Sequence, residues 1–255
     1  MHVYEATDAG VIACHFVEMT TRPGELRPTR ISDFRKWRKE GRKVVPSVTE
    51  IGKVLDKPAL VNWKVEQFLK QAFIVDQRCD SFDAWASEVK RLTELQMDLA
   101  PSVGTDVHKV LEDYATGKDV LSELRPLCND VFMAIEAYAG RMLRTHYKVE
   151  PRFATATYGG QVDLVGNGWL IDYKTKQTAD KFKPGKMAYD EHRMQLAAYR
   201  MGMGMPSARA ANVFISIEDG RVDFHEHTAV ELDKGWRLFE HALAIWQLQN
   251  EVSQC

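Results

Sequence analysis

The stretch "GGQVDLVGNGWLIDYKTKQ", Gly159 to Gln177, decides the reading of the chain. Asn167-Gly168 is the strongest short-range hairpin signal, because both central residues of a type I′ turn need positive φ. If those two form the turn, Gly166 pairs with Trp169, Val165 with Leu170 and Leu164 with Ile171. The next pair outward is Asp163 with Asp172. That register places two carboxylates directly across from each other, with Cβ atoms about 4.5–5.5 Å apart. Strand side chains alternate between faces, so Lys174 shares the face of Asp172. Facing carboxylates repel, and a plain hairpin would be weakened by them. A divalent cation between them removes the objection, since hard ions such as Mg²⁺ take one or two carboxylates and keep several waters.

A helix predicted from about residue 186 to 203 follows the hairpin and carries "QLAAY", which puts Gln195 and Tyr199 on one face at i and i+4. The full array is Gly160-x-x-Asp163, then Asp172-Tyr173-Lys174, then Gln195-x-x-x-Tyr199. In this order the motifs resemble the PD-(D/E)xK nuclease superfamily, in its RecB-like, phage-type exonuclease branch. The resemblance implies a restriction-endonuclease-like core, a mixed α/β (α+β) fold with a central mixed sheet flanked by helices. It implies DNA as substrate and Mg²⁺ or Mn²⁺ as cofactor. Asp163, Asp172, Lys174, Gln195 and Tyr199 would be the catalytic set. Asp163, Asp172 and the backbone carbonyl of Tyr173 would hold metal. Lys174 would orient the attacking water, take its proton or stabilise charge on the phosphorus centre, and Gln195 and Tyr199 would fix Lys174 or the phosphate.

The likeness continues upstream. "SVGTDVHKVLEDYATG" has apolar residues at helical spacing, Val103, Val107, Val110, Leu111 and Tyr114. Taken alone, His108 beside that stripe reads as a core histidine. The family places a histidine on a helix before the core, and the resemblance then makes His108 a metal ligand. Glu150 lies where relatives carry an acidic residue near the metals, and is a further candidate ligand. "PSVTEIGKVLDKPALVNWK", Pro46 to Lys64, resembles the N-terminal signature of phage exonucleases and of the mitochondrial genome maintenance exonuclease, and Ser47 with Glu50 forms a capping box there. The expected organisation is N-terminal strands and a basic arm over 1–45, a helical region roofing the active site over 46–145, and the nuclease core over 146–255.

Composition bounds the rest. The chain has 255 residues, 45% hydrophobic and 27% charged, with a net charge of −2. This suits one elaborated globular domain, and the overall charge does not announce a nucleic-acid binder. Between Arg22 and Lys43, however, nine basic residues meet three acidic ones, interleaved with Phe34 and Trp37. The segment reads either as a phosphate-tracking arm, with Arg35, Lys36, Trp37, Arg38 and Lys39 on DNA, or as the ordinary charge of a solvated helix. Trp63 and Trp85 are further candidate stacking faces. There is no 18-residue apolar run and no basic–apolar leader pattern, so no membrane association or export is expected. Cys14, Cys79, Cys128 and Cys255 are too scattered for a zinc or disulfide framework. The cysteine cluster that some relatives place after the Q-x-x-x-Y helix is missing, so no iron–sulfur cluster is expected. Scattered thiols suit a reducing cytoplasm, bacterial or of a phage-infected host.

The remaining pattern predicts strands over 1–20 and helices over 47–56, 60–75, 81–99, 102–116 and 121–145. Strands follow near 148–157, 161–166, 169–175, 210–217 and 221–227, with a turn at Asp219-Gly220, and a last helix over 229–249. His225 and His227 share a strand face and read as an exposed strand end more readily than as a metal site. Glu191 reads as a solvated helix residue, and Met194, Met201, Met203 and Met205 as packing. The expected function is a metal-dependent DNA exonuclease acting on single strands or duplex ends in phage or bacterial recombination, repair or replication, with a recombination or replication protein as a partner. Two other readings fit the same motifs: a structure-specific endonuclease or resolvase, and a non-catalytic DNA-binding module on a nuclease-like fold.

Overall fold

The computed structural model describes residues 1–19, 22–55, 58–75, 81–140, 147–176 and 179–251, without the side chains of 23, 58–60 and 96–105. Cys79, Cys255, Gln177 and the side chain of Val103 therefore lie outside the described residues. The elements run β1 (Val3–Thr7), β2 (Gly10–Ala13), β3 (Phe16–Met19), β4 (Arg22–Pro28), α1 (Ile31–Lys39), β5 (Val44–Pro46), α2 (Val48–Ile51), α3 (Pro58–Ile74), α4 (Phe82–Ala115) and α5 (Arg125–Ala139). Then come β6 (Tyr147–Val149), β7 (Arg152–Ala154), β8 (Gly159–Gln161), β9 (Leu164–Gly166), β10 (Trp169–Lys176), α6 (Asp190–Gly202), β11 (Arg209–Ser216), β12 (Val222–His227) and α7 (Ala229–Gln249).

The chain divides into two compact units, Met1–Val54 with Val110–Cys255, and Leu55–Lys109. The N-terminal strands thus share a unit with the central sheet, a division that differs from the three consecutive segments expected from the sequence. The smaller unit holds α3 and most of α4, with Gln67, Val89 and Thr93 buried. Two helices expected over 81–99 and 102–116 are one, α4, of 34 residues, which passes through Pro101. A proline removes its own N–H and crowds the preceding turn; here the long runs on either side carry the helix through.

The larger unit is built on a five-stranded mixed sheet in the order β12-β11-β10-β9-β6. β10 and β11 are parallel, and their other pairings are antiparallel. A parallel pair needs a crossover, and α6 supplies it. Strand alternation sends Trp169, Ile171 and Tyr173 to one face and Leu170, Asp172, Lys174 and Lys176 to the other. The first face is covered by α5, whose Tyr138 stacks on Phe224 of β12 with ring centroids 4.4 Å apart. The second lies under α6, and α7 packs on α6 so closely that a Cβ on Gly235 would stand 2.5 Å from the Arg193 carbonyl oxygen. The core is Leu164, Leu170, Ile171, Leu196, Ala210, Phe214, Ile215 and Phe239, all fully buried.

The central hairpin turns at Asn167 (φ 49°) and Gly168 (φ 78°). Its register is Gly166 with Trp169, Val165 with Leu170 and Leu164 with Ile171, as the sequence predicted. The ladder then stops, and the expected Asp163–Asp172 pair is not formed. The single strand expected over 148–157 is likewise broken at Glu150, which takes φ 50°, and the partner strand is interrupted at Val162-Asp163. Beyond that kink β7 and β8 continue as a separate pair.

Candidate active site

Asp163 sits at the kink. Its backbone carbonyl accepts from the Glu150 amide (3.0 Å). Its carboxylate Oδ2 accepts from the Tyr173 amide at 2.6 Å. The side chain thereby satisfies an amide of β10 that the interrupted ladder no longer pairs, and a buried amide left unpaired would be costly. Asp163 and Asp172 are brought to the same end of the hairpin by this local break rather than by direct cross-strand pairing. The same break brings Glu150, the third candidate ligand, next to Asp163 along the backbone.

Asp172 is buried, at 4% exposure. Gln195 Nε2 donates to its Oδ1 (3.0 Å) and also to the Tyr199 hydroxyl (2.8 Å). Lys174 Nζ lies 2.5 Å from its Oδ2. Asn212 Nδ2 donates to Oδ2 at 2.8 Å and to the Asp172 carbonyl at 3.3 Å. The parallel register places Asn212 beside Asp172, and the crossover helix places Gln195 over it. Five residues of three elements therefore converge: Asp172 and Lys174 of β10, Gln195 and Tyr199 of α6, and Asn212 of β11. Burial, then the charges of Asp172 and Asp163, push the Tyr199 hydroxyl well above its ordinary pKa, so it keeps its proton.

Gly160, the first residue of the Gly-x-x-Asp motif, has a local explanation. A Cβ there would meet the Phe153 and Tyr199 rings at 2.8 Å. The glycine lets the Tyr199 ring pack directly against β8.

Other sequence-predicted residues fall differently. His108 is half-buried on α4, within the smaller unit. Phe34 is fully buried and packs edge-on against Trp246, so it offers no stacking face. Trp37 is half-buried with the Arg42 guanidinium 4.3 Å above its ring. Arg35 donates to the Asn250 carbonyl, Lys36 lies 3.8 Å from Glu40, Arg38 stands over the Phe34 ring, and Lys39 is exposed. Arg27 and Arg42 make bidentate pairs with Asp33 and Glu5. Much of the basic segment is thus committed to the protein's own carboxylates and carbonyls. Ser47 caps α2 by accepting from the Glu50 amide, but Glu50 reaches the His2 amide and Lys53 instead of closing the box.

Four residues of the region carried no functional reading. Lys176 follows Asp172 and Lys174 on the same strand face; burial lowers its pKa, Glu191 opposes that shift, and its ammonium lies 5.1 Å from the Tyr189 ring centroid. Glu191 is accordingly half-buried and not merely solvated. Asn212 interrupts the apolar run of β11, which was the available signal for it. His227, expected at an exposed strand end, is 2% exposed, and its Nε2 donates to Asn212 Oδ1 at 2.8 Å. Its pKa falls from 6.5 to about 4, through burial first and then the neighbouring His225.

No family model matches the chain, and no curated protein matches it. Solved structures resemble it in part. An alkaline exonuclease (LHK-Exo) from Laribacter hongkongensis is 15% identical, with 52% of this chain and 73% of that one covered and a TM-score of 0.33. A phage-related exonuclease from Haemophilus somnus 129PT is 14% identical, with 58% and 83% covered and a TM-score of 0.32. The protein SSO0001 is 13% identical with a TM-score of 0.29; 46% of this chain is covered, and the match spans 55% of that chain.

Proposed function

We propose that this protein is a divalent-metal-dependent nuclease that hydrolyses DNA phosphodiester bonds from a free end. The observation that carries the reading is the buried Asp172 carboxylate, held by Gln195, Asn212 and Lys174 beside the Asp163 kink. The Lys174 ammonium pairs with that carboxylate at 2.5 Å from a side chain that remains 25% exposed. The donor set fits a hard dication: Asp163, Asp172, the Tyr173 carbonyl and Glu150 offer oxygen alone, which is the chemistry of Mg²⁺ and Mn²⁺. When bound, such an ion supplies Lewis acidity at the phosphate and a more acidic water.

The chain's own residues do the remainder. Gln195 and Asn212 fix the plane of the Asp172 carboxylate, so its oxygens need not reorganise during the reaction. Lys174, tethered to Asp172, orients a water or neutralises charge developing on a phosphate oxygen. Tyr199 stays a neutral hydroxyl and holds Gln195 in place. Lys176, two residues further along the same face, offers a second cation for an adjacent phosphate. Leu55–Lys109 forms a helical unit beyond what a hydrolytic core needs, and action from a free end is the part of this reading that linear and circular DNA distinguish. The test is release of acid-soluble nucleotides from linear single-stranded DNA in Mg²⁺. Release by the wild type and none by Asp163→Ala or Lys174→Ala supports the reading; no release in either Mg²⁺ or Mn²⁺ overturns it.

A further inference from the structure

His225 and His227 lie two apart on β12, an edge strand, and Glu231 sits in the first turn of α7 directly after it. One ligand atom from each of the three lies within 4.8 Å of the others. Among the described residues, Nε2 of His225 and Nδ1 of His227 are buried without a hydrogen-bond partner. The identity of the His227 tautomer follows from the network behind it. Asn212 gives hydrogens to two oxygens of Asp172, so its Nδ2 must face Asp172 and its Oδ1 must face His227. His227 Nε2 is then the donor to Asn212, and Nδ1 carries the lone pair. That lone pair is buried, with the His225 ring centroid 4.8 Å from that of His227 and the Glu231 carboxylate in the same cluster. Leaving it unsatisfied is unfavourable, and the site holds no donor that satisfies it.

We propose that His225, His227 and Glu231 form a binding site for a borderline transition-metal dication of the Zn²⁺ or Co²⁺ class, separate from the carboxylate site. Two imidazole nitrogens and one carboxylate oxygen suit such ions and do not suit Mg²⁺. Ligand atoms around tetrahedral zinc are separated by about 3.3–3.5 Å, so the three must draw together by about 1 Å. The parts that can move are the half-buried His225 ring on an edge strand and the Glu231 side chain. Glu231 Oε2 is committed to the Thr228 amide and hydroxyl at 2.8 and 2.9 Å. Its Oε1 is the ligand atom, with the Arg193 guanidinium 4.0 Å away and itself paired with Asp190 at 3.2 Å. A metal there would lock His227, and through Asn212 it would hold Asp172 in its working orientation, as an outer hydrogen-bonded partner does for a ligand.

The test is Co²⁺ titration of chelator-stripped protein, followed by visible absorption and by metal content after desalting. Asp163→Asn removes the carboxylate site and serves as the background in which the histidine site is read. The expected result is one Co²⁺ retained by Asp163→Asn, displaced by Zn²⁺, with the affinity lowered at least tenfold when His225→Ala is added. Glu231→Gln keeps the cap on α7 and is the second variant, expected to weaken binding in the same direction. Retention of Co²⁺ unchanged by both substitutions, or no Co²⁺ retained by Asp163→Asn, would overturn the proposal. The nuclease reading turns on Asp163 and this site on His225, so either can fail without the other.

Discussion

Asp172 is a carboxylate almost without solvent, and that changes what its removal should do. The hairpin register read from the sequence implies two facing like charges, from which alanine would relieve repulsion. The structure instead surrounds Asp172 with an amide from Gln195, an amide from Asn212 and the Lys174 ammonium. Asp172→Ala should therefore lower stability by about 1–3 kcal/mol in metal-free protein, since it strands three donors, besides abolishing cleavage. Urea denaturation in chelator checks this; a stabilised variant would restore the repulsion argument. Glu150 separates backbone from chemistry. At φ 50° a glutamate is strained by about 1–2 kcal/mol, and asparagine tolerates that region better. Glu150→Asn should leave stability unchanged or slightly raised while lowering the cleavage rate at limiting Mg²⁺; unchanged kinetics would assign Glu150 to the turn alone. His15 predicts a pH dependence. Its ring stacks on His2 at 4.4 Å and its Nδ1 accepts from the Val3 amide. Burial, then His2 and Arg152, depress its pKa from 6.5 to about 4. The unfolded chain takes up that proton first, so the stabilisation is complete above pH 6.5 and is lost as the pH falls toward 4. Unfolding curves at pH 7.5 and pH 5 should differ more for the wild type than for His15→Asn. At this scale the motif residues were legible because their spacing is set by one hairpin and one helix. Asn212 was not, because its role depends on a strand pairing forty residues away in sequence, and His227 joins the site only through Asn212.

Among the elements, the central hairpin was readable down to its register, since Asn167-Gly168 admits one tight turn and a one-residue slip would expose Leu164 and Ile171. What the pattern could not show is where pairing stops. That is decided by Glu150 and by the Asp163 side chain standing in for backbone, neither of which has a periodic signature. The last helix was legible to its ends because Thr228 and Glu231 cap it. The break expected near Pro101 failed for the opposite reason: a local signal was outweighed by the helical runs on both sides. Close approach between elements is a second feature that periodicity misses. Gly160→Ala would drive a methyl into the Tyr199 and Phe153 rings, and Gly235→Ala would drive one into the backbone of α6. Both should cost about 1–3 kcal/mol by overpacking. They should differ in function. Gly160→Ala should also reduce turnover by displacing Tyr199 from Gln195, whereas Gly235→Ala should act through thermal stability, read as a lower Tm. Equal loss of turnover per degree of Tm in the two variants would deny Tyr199 its positioning role.

As a whole molecule, the chain joins a mixed α/β unit to a smaller helical one, and only the first contains the converged carboxylates. The fold class was legible from the alternation of strands and helices after residue 146. The division into units was not, because the N-terminal strand β1 pairs with β5 and packs beside β7 and β8, contacts that no local pattern announces. The near-neutral net charge of −2 supplies no overall electrostatic attraction to a polyanion. The internal pairing of Arg27, Arg35 and Arg42 shows where much of the basic segment's charge is spent. Hydrolysis of DNA from an end at the Asp163–Asp172–Lys174 site is the proposal on which the predictions about cleavage depend. Its most direct test compares linear with covalently closed single-stranded DNA of one sequence, at one salt concentration in Mg²⁺. The linear strand should be degraded while the circle survives; equal cutting of the circle, or survival of both, rules out hydrolysis from a free end.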